Sequence, residues 1–279
     1  MVIRIVTDST CDIPPEVAAE LGITVIPDYI NVGEQSFLDG VDLTRREFYR
    51  RLVDWPVPPT TAAPGVDAFC KVYDHLAAEG ASQVISFHIY EKFSNLSNVA
   101  RLAAEATHSV PVTVVPGNFL SLGGGFILSG AAQAAQSGQS LAEIIHGVEE
   151  LTRRTHIFAA LDTLEFLRRS GRVSSLTARV GSWLHILPVL KIHLEAIDMD
   201  VVRTRASGMA RVIRLVEELG PLERLGIVHS NAPEKALEIR RQAGHLFLPG
   251  VEPWVMDITP VLGVHVGPGA VGLAVVQAA

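Results

Sequence analysis

Cysteine is nearly absent from the 279-residue chain, which carries only Cys11 and Cys70 with no paired spacing. That excludes a disulfide framework and a C-x-x-C metal or redox motif, and it is the usage of a protein kept in a reducing, cytoplasmic compartment. The ten histidines form no H-x-x-x-H pair, so no metal site is expected. No G-x-x-x-x-G-K-S/T loop and no G-x-G-x-x-G following a strand is present to cradle phosphates, and no G-x-S-x-G exposes a strained nucleophile. No cofactor is expected on these grounds.

Positive charge is also in short supply. The formal net charge is −7 with a pI near 5.8, and the basic residues are scattered, which argues against general affinity for nucleic acid or anionic membranes. No charged residue lies between Ser109 and Ala142. The densest apolar part of that region, Phe119 to Ala132, is nevertheless too short to cross a bilayer and contains Gly123, Gly124 and Gly125. It reads as a buried helix, and the three glycines are expected either to pack tightly or to leave room along a tunnel. Val2 to Val6 reads as a strand with no charged leader before it, and no repeat or low-complexity tract interrupts the chain.

What the chain has is apolar material, 48% of residues, enough to fill the cores of one large or two ordinary domains. Val2 to Val6 ends in the polar loop Thr7 to Asp12, and Pro14-Pro15-Glu16 opens a helix that Gly22 stops. Thr44 and Glu47 have capping-box spacing, with Leu43 and Phe48 placed as the hydrophobic staple. Pro56 to Pro64 reads as a stiffened loop presenting Thr60 and Thr61. Val84 to Ile89 is a strand, Ser94-Asn95 opens a helix, Val112 to Val115 is a strand, and Ser140 with Glu143 caps another helix. Alternating strands and helices predict a parallel sheet covered on both faces. After about residue 158 the pattern changes. Asp162 and Glu165 repeat the capping-box spacing, short strands are expected at Val189 to Ile192 and Val201 to Thr204, Ser207 is expected to cap a helix, and Ala270 to Val276 reads as a buried strand. The expected architecture is therefore α/β with two domains: residues 1–158 around a parallel sheet, and residues 159–279 around a mixed or antiparallel one.

Ligands in open parallel sheets bind beyond the carboxyl ends of the strands. Three polar groups qualify there, Asp8-Ser9-Thr10, Thr60-Thr61 and Ser94-Asn95, each of which is also an ordinary turn or N-cap sequence. His265 stands beside the Gly267-Pro268-Gly269 turn in an apolar stretch, a setting that suits a structural histidine as well as a functional one. Asp8 invites comparison with aspartate-nucleophile phosphatases, but Thr10 occupies the place of their second aspartate. Hydroxyls, one imidazole and a few arginines in a very apolar chain suit the binding of a carboxylate better than they suit chemistry. A small-molecule hydrolase or phosphoryl transferase at the domain junction is the alternative.

The same residues resemble the DegV family, which includes the fatty-acid-binding subunit of bacterial fatty acid kinase. Thr7-Asp8-Ser9-Thr10 with Asp12-Ile13-Pro14 is similar to its opening T-D-S-x-x-D-L-P, and Asp39-Gly40-Val41-Asp42 to its D-G-V-D. Pro59-Thr60-Thr61-Ala62-Ala63-Pro64 is similar to P-T-[TS]-S-Q-P, and Leu167 to Val173 to L-x-x-G-G-R-I. Gly263 to Ala270 matches the terminal G-x-H-x-G-P-G-A. The resemblance implies a long-chain fatty acid in a tunnel between two α/β domains, phosphorylated on its carboxyl group by a separate fatty acid kinase. By the same matching, Thr61, Ser94 and His265 would hold the carboxyl group, Arg172 and Arg203 would lie beside it with Arg205 competing for the second place, and Gly267 and Gly269 would shape the site. The chain departs from the family's S-S-G-L-S-G-T-Y-Q at Tyr90 to Asn98, where the serine Ser94 stays and both glycines are lost. It also has Pro116-Gly117 for D-S and Leu187 for the lysine of K-P-I-L.

Overall fold

A computed structural model describes residues 2–117, 119–172, 186–194 and 196–279. The first half is built on β1 (Ile3–Asp8), β2 (Ile23–Ile26), β6 (Gln83–His88) and β7 (Val112–Pro116), all parallel in the order β2-β1-β6-β7. Its central strands β1 and β6 are buried on both faces, because α3 (Val66–Ala78) and α4 (Leu96–Ala106) pack with one core cluster while α5 (Ser121–Gln136) and α6 (Leu141–Arg154) pack with the other. This is the doubly covered sheet that the strand and helix alternation predicts. The short helix α1 (Pro15–Leu21) begins on Pro15 and ends at Gly22, whose φ of 64° is the left-handed value glycine tolerates.

Within this half lies a three-stranded antiparallel sheet, β4-β3-β5, made of β3 (Tyr29–Val32), β4 (Gln35–Leu38) and β5 (Thr60–Ala62). The segment Pro56 to Pro64, expected as a loop, therefore holds a strand at its centre, where Thr61 pairs with Ile30. The prolines flank the paired residues and leave their N–H groups free to bond. Between β4 and β5, Thr44 caps α2 (Arg45–Leu52), accepting from the Glu47 N–H at 3.2 Å, and Leu43 and Phe48 are both fully buried. The Glu47 carboxylate turns to Arg51 instead of completing the box.

The second half is a six-stranded mixed sheet in the order β10-β9-β8-β13-β11-β12. Its strands are β8 (Thr155–Ala160), β9 (Leu187–His193), β10 (Ala196–Val202), β11 (Leu222–His229), β12 (Val255–Asp257) and β13 (Val271–Gln277), and only β11 and β12 run parallel. Residue 158 lies inside β8, which follows α6 directly. The helices α8 (Arg205–Glu217) and α9 (Pro233–Gln242) cover one face of this sheet, and α5 reaches the other.

Two caps differ from expectation. Asp162 does not cap α7 (Glu165–Ser170); Thr163 accepts from the Glu165 N–H at 3.1 Å, and Asp162 pairs with Lys235 and Arg205. Thr204 is the N-cap of α8, and Ser207 is its reciprocal partner three residues on. The stretch before the Gly-Pro-Gly turn forms a short helix, α10 (Pro260–Val266), that Gly267 terminates.

Buried carboxylates tie α10 to the first half. Asp12 accepts from the Thr259 N–H at 2.9 Å and from the Ser121 hydroxyl at 2.7 Å, and pairs with Arg45 at 3.2 Å. Asp39 accepts from the Val261 N–H at 3.1 Å. Both therefore satisfy otherwise orphaned donors at the start of the helix that carries His265.

Candidate functional site: an apolar cavity with a polar end

The parallel sheet delivers two loops to one place, that after β1 with Thr10 and that after β6 with Phe93, Ser94 and Asn95. β5 adds Thr61, α10 adds Val261, Leu262, His265 and Val266, and the end of α7 adds Leu167, Ser170 and Arg172. Together they enclose a cavity of about 270 Å³ whose other walls are Leu120, Leu190, Ile192 and Ile197. A second, mainly apolar space of about 60 Å³ shares Leu120, Leu190, Ile192, Leu262 and Val266 with it and reaches Val228, Ile258 and Val271 between the halves. The lining combines a few hydroxyl, imidazole and guanidinium groups with a larger aliphatic wall, as amphiphile recognition requires.

At the polar end the Thr61 hydroxyl lies 3.2 Å from His265 Nε2. Burial, and secondarily the Arg172 guanidinium, push the His265 pKa down to about 4, so the ring is neutral near pH 7. Its Nδ1 is buried without a partner among the described residues. A bare acceptor nitrogen costs less there than an unpaired N–H, which assigns the proton to Nε2. His265 then donates to Thr61, and the threonine's own proton is left free to point at a ligand oxygen. The Ser94 hydroxyl accepts from the Leu96 N–H at 3.3 Å, and among the described residues its proton has no acceptor. Arg172 bonds the Ser170 carbonyl at 2.8 Å.

Thr61, Ser94, His265 and Arg172 are thus brought together, while Arg203, Arg205, Gly267 and Gly269 stand apart. Arg203 follows the end of β10 and lines a separate, open depression with Arg168 and Asp162. Arg205 lies in the same depression and holds Asp162 at 3.1 and 3.2 Å. Gly267 and Gly269 do not line the cavity wall; their φ values are 73° and 86°, and an added Cβ would come within 2.3 Å of the Phe166 ring at Gly267 and 2.5 Å of the Asp162 carboxylate at Gly269. They are glycines because the backbone passes tightly over α7. Gly123 to Gly125 serve packing as well. A Cβ would meet the Ile157 and Thr155 side chains at 3.0 Å, the Cys11 sulfur at 2.6 Å and the Asp12 carbonyl at 2.2 Å respectively, so the expectation that they give room to a tunnel is corrected. Only Leu120, just before α5, reaches the main cavity from that segment. Val173, at the end of the arginine motif, lies outside the described residues.

Two features escaped the sequence reading. Asp28 lines the cavity although it is 2% exposed; the sequence signal was a lone carboxylate between two strands of apolar residues. The other is a sealed relay: Tyr73 donates to Ser86 at 2.8 Å, Ser86 meets His88 Nε2 at 2.7 Å, and His88 Nδ1 meets Asp8 at 2.8 Å. Burial pushes the Asp8 pKa up, but the His88 and Thr10 hydrogen bonds and the His88 charge outweigh it and hold it below the usual value. Ser, His and Asp here have the order of a hydrolase triad, yet all are fully buried and none lines the cavity. Ser86 is moreover bonded to Tyr73. Among the described residues no group of His, Cys, Asp and Glu is arranged to hold a metal ion, and no helix is long and apolar enough to cross a membrane.

Fold and cavity define a two-domain α/β protein with an enclosed, mainly apolar cavity where the domains meet. The chain belongs to the DegV family, described as uncharacterised proteins, whose model matches residues 2–278. It is 33% identical over 279 residues to a DegV domain-containing protein of Deinococcus radiodurans, covering 98% of each chain. Among solved structures it is similar to a fatty-acid-binding DegV family protein from Thermus thermophilus, at TM-score 0.90 and 29% identity over 100% of both chains. It is also similar to DegV of Bacillus subtilis, a fatty acid binding protein, at TM-score 0.88 and 28% identity over 100% of both.

Proposed function

We propose that this protein binds a long-chain fatty acid, with the carboxyl group at Thr61, Ser94 and His265 and the tail running along Leu120, Leu190 and Leu262. The observation that carries the reading is the Thr61 hydroxyl held 3.2 Å from His265 Nε2 on the wall of a mainly apolar cavity. The fatty acid binding of the Thermus and Bacillus relatives supports it. Arg172, which lines the cavity without a carboxylate partner among the described residues, supports the further reading that the carboxyl group is offered to a separate fatty acid kinase for conversion to an acyl phosphate. Arg203 and Arg168 face solvent beside α7 and suit contact with that partner better than contact with the ligand. The chemistry would then lie on the kinase, and a cytoplasmic location belongs to the same reading, with the domain boundary moved from the expected 158 to the junction of α6 and β8, since β8 pairs with β9 and β13.

The test is mass spectrometry of a solvent extract of the purified protein, followed by incubation of the loaded protein with a fatty acid kinase and ATP. A stoichiometric saturated or unsaturated acid and its kinase-dependent acyl phosphate are expected. An empty extract together with no uptake of added palmitate defeats the binding reading, and a loaded protein that no kinase phosphorylates defeats the second part alone.

A further inference from the structure

Among the described residues Asp28 is the one carboxyl group on the cavity wall. It sits just ahead of β3, two residues before Ile30, which pairs with Thr61. Its Oδ2 accepts from the Ser9 hydroxyl at 3.1 Å, and its N–H donates to the same hydroxyl at 3.0 Å. Among the described residues nothing bonds to its Oδ1. A carboxyl oxygen with no hydrogen-bond partner among the described residues, on a residue that lines a cavity, is free to meet a ligand atom.

The groups that face Asp28 fix what Oδ1 offers. Asp8 at the end of β1 and Asp39 after β4 are both acidic, Ser9 is neutral, and across the cavity stand neutral His265 on α10 and Arg172 after α7. Burial, followed by the charge of Asp8, holds the Asp28 pKa well above the usual carboxylate range. That shift favours the protonated carboxyl group, and since Oδ2 accepts from Ser9 the proton is placed on Oδ1. Thr10 cannot play that part, because its hydroxyl proton is committed to Asp8.

Resting on the fatty-acid reading above, we propose that Asp28 is a further head-group residue: its cavity-facing oxygen shares one proton with the carboxyl group of the bound acid. The ligand is then held as a carboxyl–carboxylate pair, with Thr61 and Ser94 donating to the remaining lone pairs. Two carboxyl groups at hydrogen-bond distance cannot both ionise without repulsion. Loss of the shared proton to water leaves two adjacent anions and releases the ligand, so affinity for a fatty acid falls as pH rises. A ligand with the same tail and a neutral hydroxyl head can donate to Asp28 in either state, and its affinity does not follow pH.

The experiment measures dissociation constants of palmitate and hexadecan-1-ol for the delipidated full-length protein between pH 6 and 9. Palmitate affinity is expected to fall by about tenfold or more over that range, from the like-charge repulsion, while that of hexadecan-1-ol stays level. Asp28→Asn keeps a donor that does not titrate, so its palmitate binding should be rescued and insensitive to pH; Asp28→Leu should bind palmitate more weakly than Asn at every pH. Parallel pH profiles for palmitate in the parent and in Asp28→Asn, or an equal fall for the alcohol, overturn the proposal while leaving fatty acid binding intact. The parent's comparison of palmitate with the alcohol decides the matter even if a variant fails to fold. Binding of neither ligand by the parent defeats both this proposal and the reading beneath it.

Discussion

Thr61 Oγ1 and His265 Nε2 meet at 3.2 Å across 204 residues of sequence, one from a short edge strand of the first half and the other from a helix of the second. The contact joins the two halves at the polar end of the cavity, and it decides which proton a ligand oxygen receives.

Affinity and orientation should therefore separate. A chain of about sixteen carbons at roughly 0.8 kcal/mol per buried methylene gives a gross term on the order of 12 kcal/mol, against about 1.5–3 kcal/mol for a hydrogen bond to a carboxylate. Thr61→Ala and His265→Ala are expected to purify with fatty acid still bound, yet to be phosphorylated by the kinase about a hundredfold more slowly, since an oxygen misplaced by about 1 Å costs that much in rate. Lipid content by mass spectrometry and single-turnover acyl phosphate formation give the two readouts. Folded but lipid-free variants would show that the head group carries the affinity.

The start of α10 rests on a carboxylate with an unusual titration. Burial raises the Asp39 pKa to about 7, against 3.8 for the free group, although the Val261 N–H and the charge of Arg45 oppose the shift. Between those values the folded protein holds a proton that the unfolded chain has lost, so this group's contribution is complete below about pH 4 and disappears as pH rises through about 7. Asp39→Asn keeps an oxygen for the Val261 N–H and removes the titration. Its stability relative to the parent should improve by roughly 1 kcal/mol between pH 6 and 8, and the histidine titrations cancel in that difference. Denaturant melts at the two pH values check this; a difference that does not move with pH removes Asp39 as its source.

The glycine run in α5 is expected to tolerate no enlargement. At Gly125 a Cβ would come within 2.2 Å of the Asp12 carbonyl, which belongs to backbone and cannot swing aside. Gly125→Ala should cost about 1–3 kcal/mol or more by overpacking, and Gly124→Leu should lower the melting temperature without selecting a shorter acyl chain. Thermal melts and lipid profiles test the two statements separately, and a stable Gly124→Leu protein with shorter lipid would restore the glycines to the cavity wall.

Much of the fold was legible because its signals are local. The both-face burial of β1 and β6, the Ser140–Glu143 capping box of α6 and the apolar run of β13 are written in consecutive residues. The site was legible only where a motif carried it. Thr61, Ser94 and His265, which their motifs single out, line one cavity, whereas Arg203 does not, since β10 ends at Val202 and Arg203 lines the depression beside α7. The glycines of α5 looked alike for a tunnel and for close packing, because periodicity gives a helix but not its neighbour. β5 was hidden by the prolines around it, and Asp28 by the absence of any pattern that tells a buried carboxyl from a turn residue.

Arg172 links the electrostatics of the site to the proposed partner. Its charge is the second cause, after burial, of the low His265 pKa, and its backbone-anchored guanidinium carries no carboxylate partner among the described residues. Arg172→Ala should therefore leave the aliphatic wall and the lipid content intact while raising the His265 pKa, though not to the free value, because burial remains. Imidazole resonances followed by NMR across pH 4 to 7 would record the shift. The same variant should slow phosphoryl transfer by about 10-fold or more if the guanidinium also neutralises charge developing on the transferring phosphoryl group. A raised His265 pKa with an unchanged transfer rate would confine Arg172 to the electrostatics of the empty cavity and leave the kinase contact to Arg168 and Arg203.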